Sequence, residues 1–173
     1  MQIQDQAAVL DAANRSVAGA RSNQAGILEF VTFAIGDDRY GVDIMSVREI
    51  KGWSGISPLA GQPEFVRGVL NLRGVMVPIV DLRCRFGQGM TEATATHIVI
   101  IVSIADQLVG LLADQVLDIV PYEASKIQPV PQVSRDSDIN LFGGLLTDED
   151  GMITLIDLSQ LTHSSSGSAP QAA

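Results

Sequence analysis

Two aspartates close matching apolar runs in this chain. Asp81 lies in "VPIVDL" (Val77 to Leu82) and Asp157 in "ITLIDL" (Ile153 to Leu158). Paired carboxylates at strand ends are how a two-lobed aspartic hydrolase shares one proton between two acids. That chemistry needs each acid on a tight Asp-Thr/Ser-Gly turn, whose backbone N–H groups hold the carboxylates together. Here Leu82-Arg83 and Leu158-Ser159 follow, so no glycine permits the turn. Both aspartates read instead as caps of a following turn or short helix, as in "DLSQL". Cys84, the single cysteine, is flanked by Arg83 and Arg85, which would lower its pKa, but no base is paired with it. His97 and His163 stand far apart, and neither is near a Cys or a second His at metal-ligand spacing. The G-x-S-x-G, G-x-x-x-x-G-K-[ST] and G-x-G-x-x-G patterns are absent, and "GQG" at Gly87 to Gly89 reads as a loop. The expectation is no catalytic residue, no metal and no cofactor. What remains is "NLRG": a strand pair ending in Arg73 can aim its planar guanidinium across the surface at Glu49 of "SVREI".

Composition narrows the partners. A chain of 173 residues, 46% hydrophobic, suffices for one compact domain or two small fused lobes. Apolar runs such as "IVIIV" (Ile98 to Val102) fall far short of the roughly 18 to 20 residues of a membrane span. The N-terminus places Asp5 before any Lys or Arg and has no sustained apolar segment, so no secretory signal is expected. With one cysteine and no internal disulfide, the cytoplasm is the expected location. A net charge of -9 with eleven dispersed Lys and Arg opposes both nucleic-acid binding and a polybasic membrane patch.

The elements that must position Arg73, Glu49 and the two aspartates are short strands. Residues 1–27, rich in Ala, Gln, Asn and Ser, are expected to be a flexible tail with one fraying helix carrying Ile3, Ala7 and Leu10. Residues 164–173 read as a flexible end, which leaves 28–163 as the folded unit. Within it, Val- and Ile-rich segments are punctuated by Gly, Asp or Asn clusters about every ten residues. "LEFVTFAIGDDRYGVDI" reads as a hairpin with Val31, Phe33 and Ile35 on one face and Phe30, Thr32 and Ala34 on the other. "HIVIIVSIADQLVGLLAD" reads as a second hairpin turning at Ala105-Asp106-Gln107. "SVREI" and "QVLDIV" follow as third strands, making two similar meanders. Gly41, Val47, Glu49 and Ile50 recur in spacing as Gly110, Val116, Asp118 and Ile119. A duplicated five-stranded unit follows, packed as two barrels side by side. The first spans about 28–90 and the second about 97–163, with strand exchange between them left open.

The ordered segments "FVTFAIGDDRYGVDIMSVREI", "PEFVRGVLNLRGVMVPIVDLR" and "GLLADQVLDIV" resemble the CheW family, the coupling proteins of bacterial chemotaxis, over about residues 28 to 163. The resemblance implies a mainly β fold with little helix: two five-stranded SH3-like barrels around a shared apolar core. It implies a non-enzymatic cytoplasmic adaptor, recruited to membrane-associated arrays without inserting into the bilayer. Its partners would be the cytoplasmic tip of methyl-accepting chemoreceptors, the regulatory domain of a CheA-type histidine kinase, and other CheW-like domains in array rings. By matching position, Glu49, Arg73, Ile50, Ile98, Gly110 and Ile119 are implied at or near the receptor groove, and Val47 and Gly68 toward the kinase. Gly68→Asp is expected to leave folding largely intact and to weaken kinase association. The competing reading is a small-molecule-binding barrel or remnant aspartic-type hydrolase with the Asp pair at its mouth. It requires a cavity with converging polar groups, whereas five-stranded barrels of this size are filled by their own Val, Ile and Leu.

Overall fold

A computed structural model describes residues 3–19, 26–131 and 141–161. The C-terminal tail expected at 164–173, together with His163, lies outside the described residues. Strand β1 (Ile27–Ile35) turns through Gly36-Asp37 into β2 (Asp38–Asp43), and β6 (Ile98–Ile104) turns through Ala105-Asp106 into β7 (Gln107–Ala113). Ala105 and Asp106 both have positive φ, 47° and 65°, as a two-residue turn matched to strand twist requires. Gln107, expected in the turn, is the first residue of β7. Two further hairpins, β4 (Val66–Leu72) with β5 (Val75–Asp81) and β9 (Phe142–Asp148) with β10 (Gly151–Ile156), complete the antiparallel pairs.

The third strands do not stay with their hairpins. β3 (Val47–Gly52) pairs with β6, and β8 (Gln115–Glu123) pairs with β1. β5 then joins β7 in parallel, and β10 joins β2 in parallel. The result is two five-stranded sheets, ordered β8-β1-β2-β10-β9 and β3-β6-β7-β5-β4. Replacing every strand by its counterpart in the other half converts one order into the other, so the duplication read from sequence is present in the topology. Its spatial units are not the contiguous segments 28–90 and 97–163, however. Each sheet takes a hairpin from one half and three strands from the other. β3 and β8 share the spacing of Val47 and Ile50, repeated as Val116 and Ile119, and fit the edge of either hairpin, so the exchange leaves no local mark in the sequence.

Alternation within each strand divides the core in three. Val31, Phe33 and Ile35 of β1 meet Ile98, Ile100 and Val102 of β6 in a central cluster shared by the two sheets. Phe30 turns the other way, onto Leu146, Ile153 and Leu155, while Val99 and Ile101 meet Val77, Ile79 and Leu112. Each fully buried side chain of this kind is worth about 1.5–3 kcal/mol, so the central cluster fastens the two sheets to one another. Where β7 meets β5, a Cβ on Gly110 would overlap Ile79 Cδ1 and stand 2.8 Å from Val99 Cγ1. Gly110 is therefore required by close approach inside the sheet.

Open sheet edges are covered. Ser57 bridges to Val69 on β4, and Gln128 bridges to Leu145 on β9, each by a pair of backbone hydrogen bonds. β3 and β8 face helix α1 (Ile3–Gly19). The flexible tail expected at 1–27 is thus a docked helix over 3–19. Its inward stripe is Leu10, Ala13, Asn14 and Val17, of which Ala13 is buried and Leu10 and Val17 pack on the central cluster. Ala7, an expected anchor, is exposed. Leu10 and Val17 are the only large apolar residues on that stripe, too few to mark a buried face in the sequence.

Candidate docking surface

The two aspartates that invite a catalytic reading are caps. Asp81 is fully buried and begins α2 (Leu82–Arg85), accepting from Cys84 N at 3.3 Å. It also accepts from Thr91 N at 2.8 Å, from the Thr91 hydroxyl at 2.7 Å and from Arg67 Nη1 at 3.1 Å. Arg67 in turn donates to the Thr91 carbonyl at 2.6 Å. The charge is compensated on all sides, and its partners tie β4, β5 and the segment at Thr91 together. Asp157 accepts from Ser159 N at 3.0 Å and from the Ser159 hydroxyl at 2.6 Å, at the start of α3 (Leu158–Leu161). Each carboxylate is engaged by its own local partners.

Cys84 departs from its expected chemistry. Burial pushes its thiol up, and Asp81 and Glu64 add to the rise against a smaller opposing effect of Arg67. Neighbouring arginines in sequence do not lower the pKa, because Arg83 turns to Asp114 at 2.7 Å and Arg85 lies over the Phe65 ring. His97 accepts from Thr94 N at 3.0 Å through Nδ1 and places Nε2 3.5 Å from Asp114 Oδ1. Among the described residues, no three His, Cys, Asp or Glu side chains converge as a metal site.

Glu49 and Arg73 do meet. Arg73 Nη2 donates to Glu49 Oε2 at 2.7 Å, joining β3 to the β4–β5 turn across 24 positions of sequence. The Arg73 side chain is 76% exposed and that of Glu49 25% exposed. Lys51 Nζ lies 3.8 Å from the other Glu49 oxygen. Arg73 itself is left-handed, with φ of 49°, and the following Gly74 has φ of 88°. Asn71 Oδ1 accepts from Gly74 N at 2.8 Å and closes the turn. Val75 and Met76, just past it, are exposed, so the hairpin end shows an arginine beside an apolar patch. Such a surface can bind a protein.

The other residues implied by the resemblance fall into two sets. Ile119 is half-buried and lies beside α1. Ile50, Ile98 and Val47 are buried at 2%, 1% and 3% exposure, and Gly110 is enclosed by Ile79 and Val99, so none of these four presents a contact surface. They shape the surface from beneath. Gly68 is also buried, and its role is backbone geometry. It has φ of 148°, sits at a bulge in the β4–β5 pairing, and any Cβ would overlap the Ser57 carbonyl oxygen. The expected tolerance of Gly68→Asp is therefore corrected: Ser57 and Pro58 cross β4 where only glycine leaves room.

Sequence reasoning missed Arg67, Thr91, Asn14 and Asp114. Asp114 Oδ2 accepts from both Arg83 Nη2 and Gly36 N at 2.7 Å, joining the two sheets. Each acts across at least ten positions of sequence, and a single polar residue carries no local signal of such a partner. Among the described residues, no helix is long and apolar enough to cross a membrane.

Residues 29–166 match the family model described as a CheW-like domain. A "Probable chemotaxis protein CheW" of Rhizobium etli is 40% identical over 141 residues, covering 82% of this chain and 91% of that protein. The "Chemotaxis protein CheW" of Klebsiella aerogenes is 35% identical over 136 residues, covering 79% and 82% respectively. Among solved structures, the scaffolding protein TtCheW from Thermoanaerobacter tengcongensis superposes with a TM-score of 0.74 at 33% identity, covering 80% of this chain and 94% of that one. With two mutually exchanged five-stranded sheets, aspartates spent on caps, and this match through both halves, the chain belongs to the CheW family.

Proposed function

We propose that this protein is a non-enzymatic adaptor of bacterial chemotaxis, coupling the cytoplasmic tips of chemoreceptors to a CheA-type histidine kinase. The observation that carries the reading is the CheW-like match over 29–166, spanning both exchanged halves. The interior supports it, since apolar side chains of both sheets fill the three core clusters. The receptor surface is assigned to the groove side of β3 and β8, with Glu49, Arg73 and Ile119 at the surface and Val47, Ile50, Ile98 and Gly110 supporting it. The kinase is assigned to the neighbourhood of Gly68, through the Ser57–Pro58 crossing that this glycine admits. Its place is the cytoplasmic face of receptor arrays. The test is co-sedimentation with receptor-containing membranes and a CheA-type kinase. The protein should pellet with the membranes and change the kinase rate only when receptor is present. A rate that responds without receptor, or a protein that stays in the supernatant, rules the reading out.

A further inference from the structure

β3 and β8 occupy equivalent edges of the two sheets, and Ile50 and Ile119 hold matching positions on them. α1 lies against both strands and outside the matched residues 29–166. Its hold on β3 is specific. Asn14 Nδ2 donates to the Ile50 carbonyl at 3.0 Å, while Asn14 Oδ1 accepts from Ile50 N at 2.8 Å. A carboxamide carries a donor and an acceptor side by side, so one side chain satisfies an edge residue as a neighbouring strand would. Beneath it the seat is small: buried Ala13, flanked by Leu10 and Val17. Toward β8 the fit is open. A cleft of about 580 Å³ remains between α1 and β8, lined by Val9, Ser16, Val116, Leu117 and Ile119, with Glu29 and Asp118 on its walls.

We infer that α1 is a displaceable internal occupant of the groove between β3 and β8, which a partner helix must remove in order to dock there. The inference deepens the proposed function and rests on it for the partner, the helical tip of a chemoreceptor. The groove fits a helix because it already holds one, and the retaining contacts are few enough to break. A ligand for the emptied groove sees an affinity reduced by the fraction of molecules in which α1 has left, so weakening the Asn14 contact raises apparent affinity. The outer face of α1 carries an exposed Asp11–Arg15 pair at 3.4 Å, which does not touch the groove.

The experiment titrates a receptor-tip fragment into the full-length protein, the Asn14→Ala variant and the Arg15→Ala control, and follows hydrogen exchange of the Ile50 amide in the free proteins. Asn14→Ala should speed exchange at Ile50 and tighten binding on the order of tenfold, the equivalent of two hydrogen bonds, with Arg15→Ala matching wild type. Faster exchange at Ile50 with unchanged or weaker binding overturns the inference and leaves the adaptor reading standing. Unchanged exchange overturns it too, because Asn14 then does not hold the edge. If no version binds the fragment, the adaptor reading falls and takes this inference with it.

Discussion

Arg73 serves two demands that can be separated. Its backbone is left-handed, a conformation that disfavours any side chain, while its guanidinium holds Glu49. Because the pair is exposed, it adds only about 0.2–1 kcal/mol to stability. Arg73→Gly relieves about 1–2 kcal/mol of left-handed strain, offset in part by about 0.4–1 kcal/mol of added unfolded-state entropy. Urea unfolding of this variant should therefore stay within about 1 kcal/mol of wild type while receptor affinity falls. A marked loss of stability would make Arg73 a structural residue. Gly68 is the opposite case. Gly68→Ala forces a side chain into positive φ and onto the Ser57 backbone, and should cost about 3 kcal/mol or more. A thermal midpoint within a degree of wild type would show that the Ser57 crossing gives way freely.

At the scale of elements, the first sheet is clamped across β10 by Arg39 of β2 and Asp148 of β9, with two hydrogen bonds of 2.7 Å. The Arg39 guanidinium, through those bonds first, holds the Asp148 carboxyl below its ordinary value of 3.8. A carboxylate whose folded pKa is depressed contributes stability above its unfolded pKa and loses it as pH falls through the folded value. Asp148→Asn should thus cost about 1 kcal/mol at pH 7, and the gap to wild type should close in acid below about pH 4. Urea melts of both proteins at neutral and acid pH check this; a gap that persists in acid would assign the loss to shape rather than charge. The same clamp could not be placed from sequence, because Arg39 and Asp148 are 109 positions apart.

The whole molecule unfolds as one body if the exchange of strands matters energetically. Neither half contains a complete sheet, since β1 and β2 need β8, β9 and β10, and β6 and β7 need β3, β4 and β5. The central cluster then joins both sheets. Trp53, the single tryptophan, packs against the core of the second sheet, so its emission reports that sheet alone, whereas far-ultraviolet circular dichroism reports both. The two thermal transitions should coincide. Separate midpoints would mean that each sheet is stable without the other.

Much of this was legible in residues 28–163 because it is encoded locally. Alternating Val and Ile specify strands, Gly36-Asp37 and Ala105-Asp106 specify tight turns, the residues after Asp81 and Asp157 specify caps, and recurring spacings reveal the duplication. The pairing of Glu49 with Arg73 was also legible, since the two carry complementary charge and Arg73 ends a strand pair facing the Glu49 segment. Tertiary structure alone decided which hairpin receives β3 and which receives β8, because their matching apolar spacing, Val47 with Ile50 and Val116 with Ile119, suits either edge. It alone decided that Ile50, Ile98 and Val47 are interior, for burial depends on what the far half of the chain lays over them. It placed Gly68 where Ser57 and Pro58 cross β4, an approach between segments that the residues beside this glycine do not announce. And it made Asn14, a polar residue in an alanine-rich segment, the partner of an edge strand 36 positions away, because a hydrogen bond is set by where two groups meet in space rather than by the residues beside them.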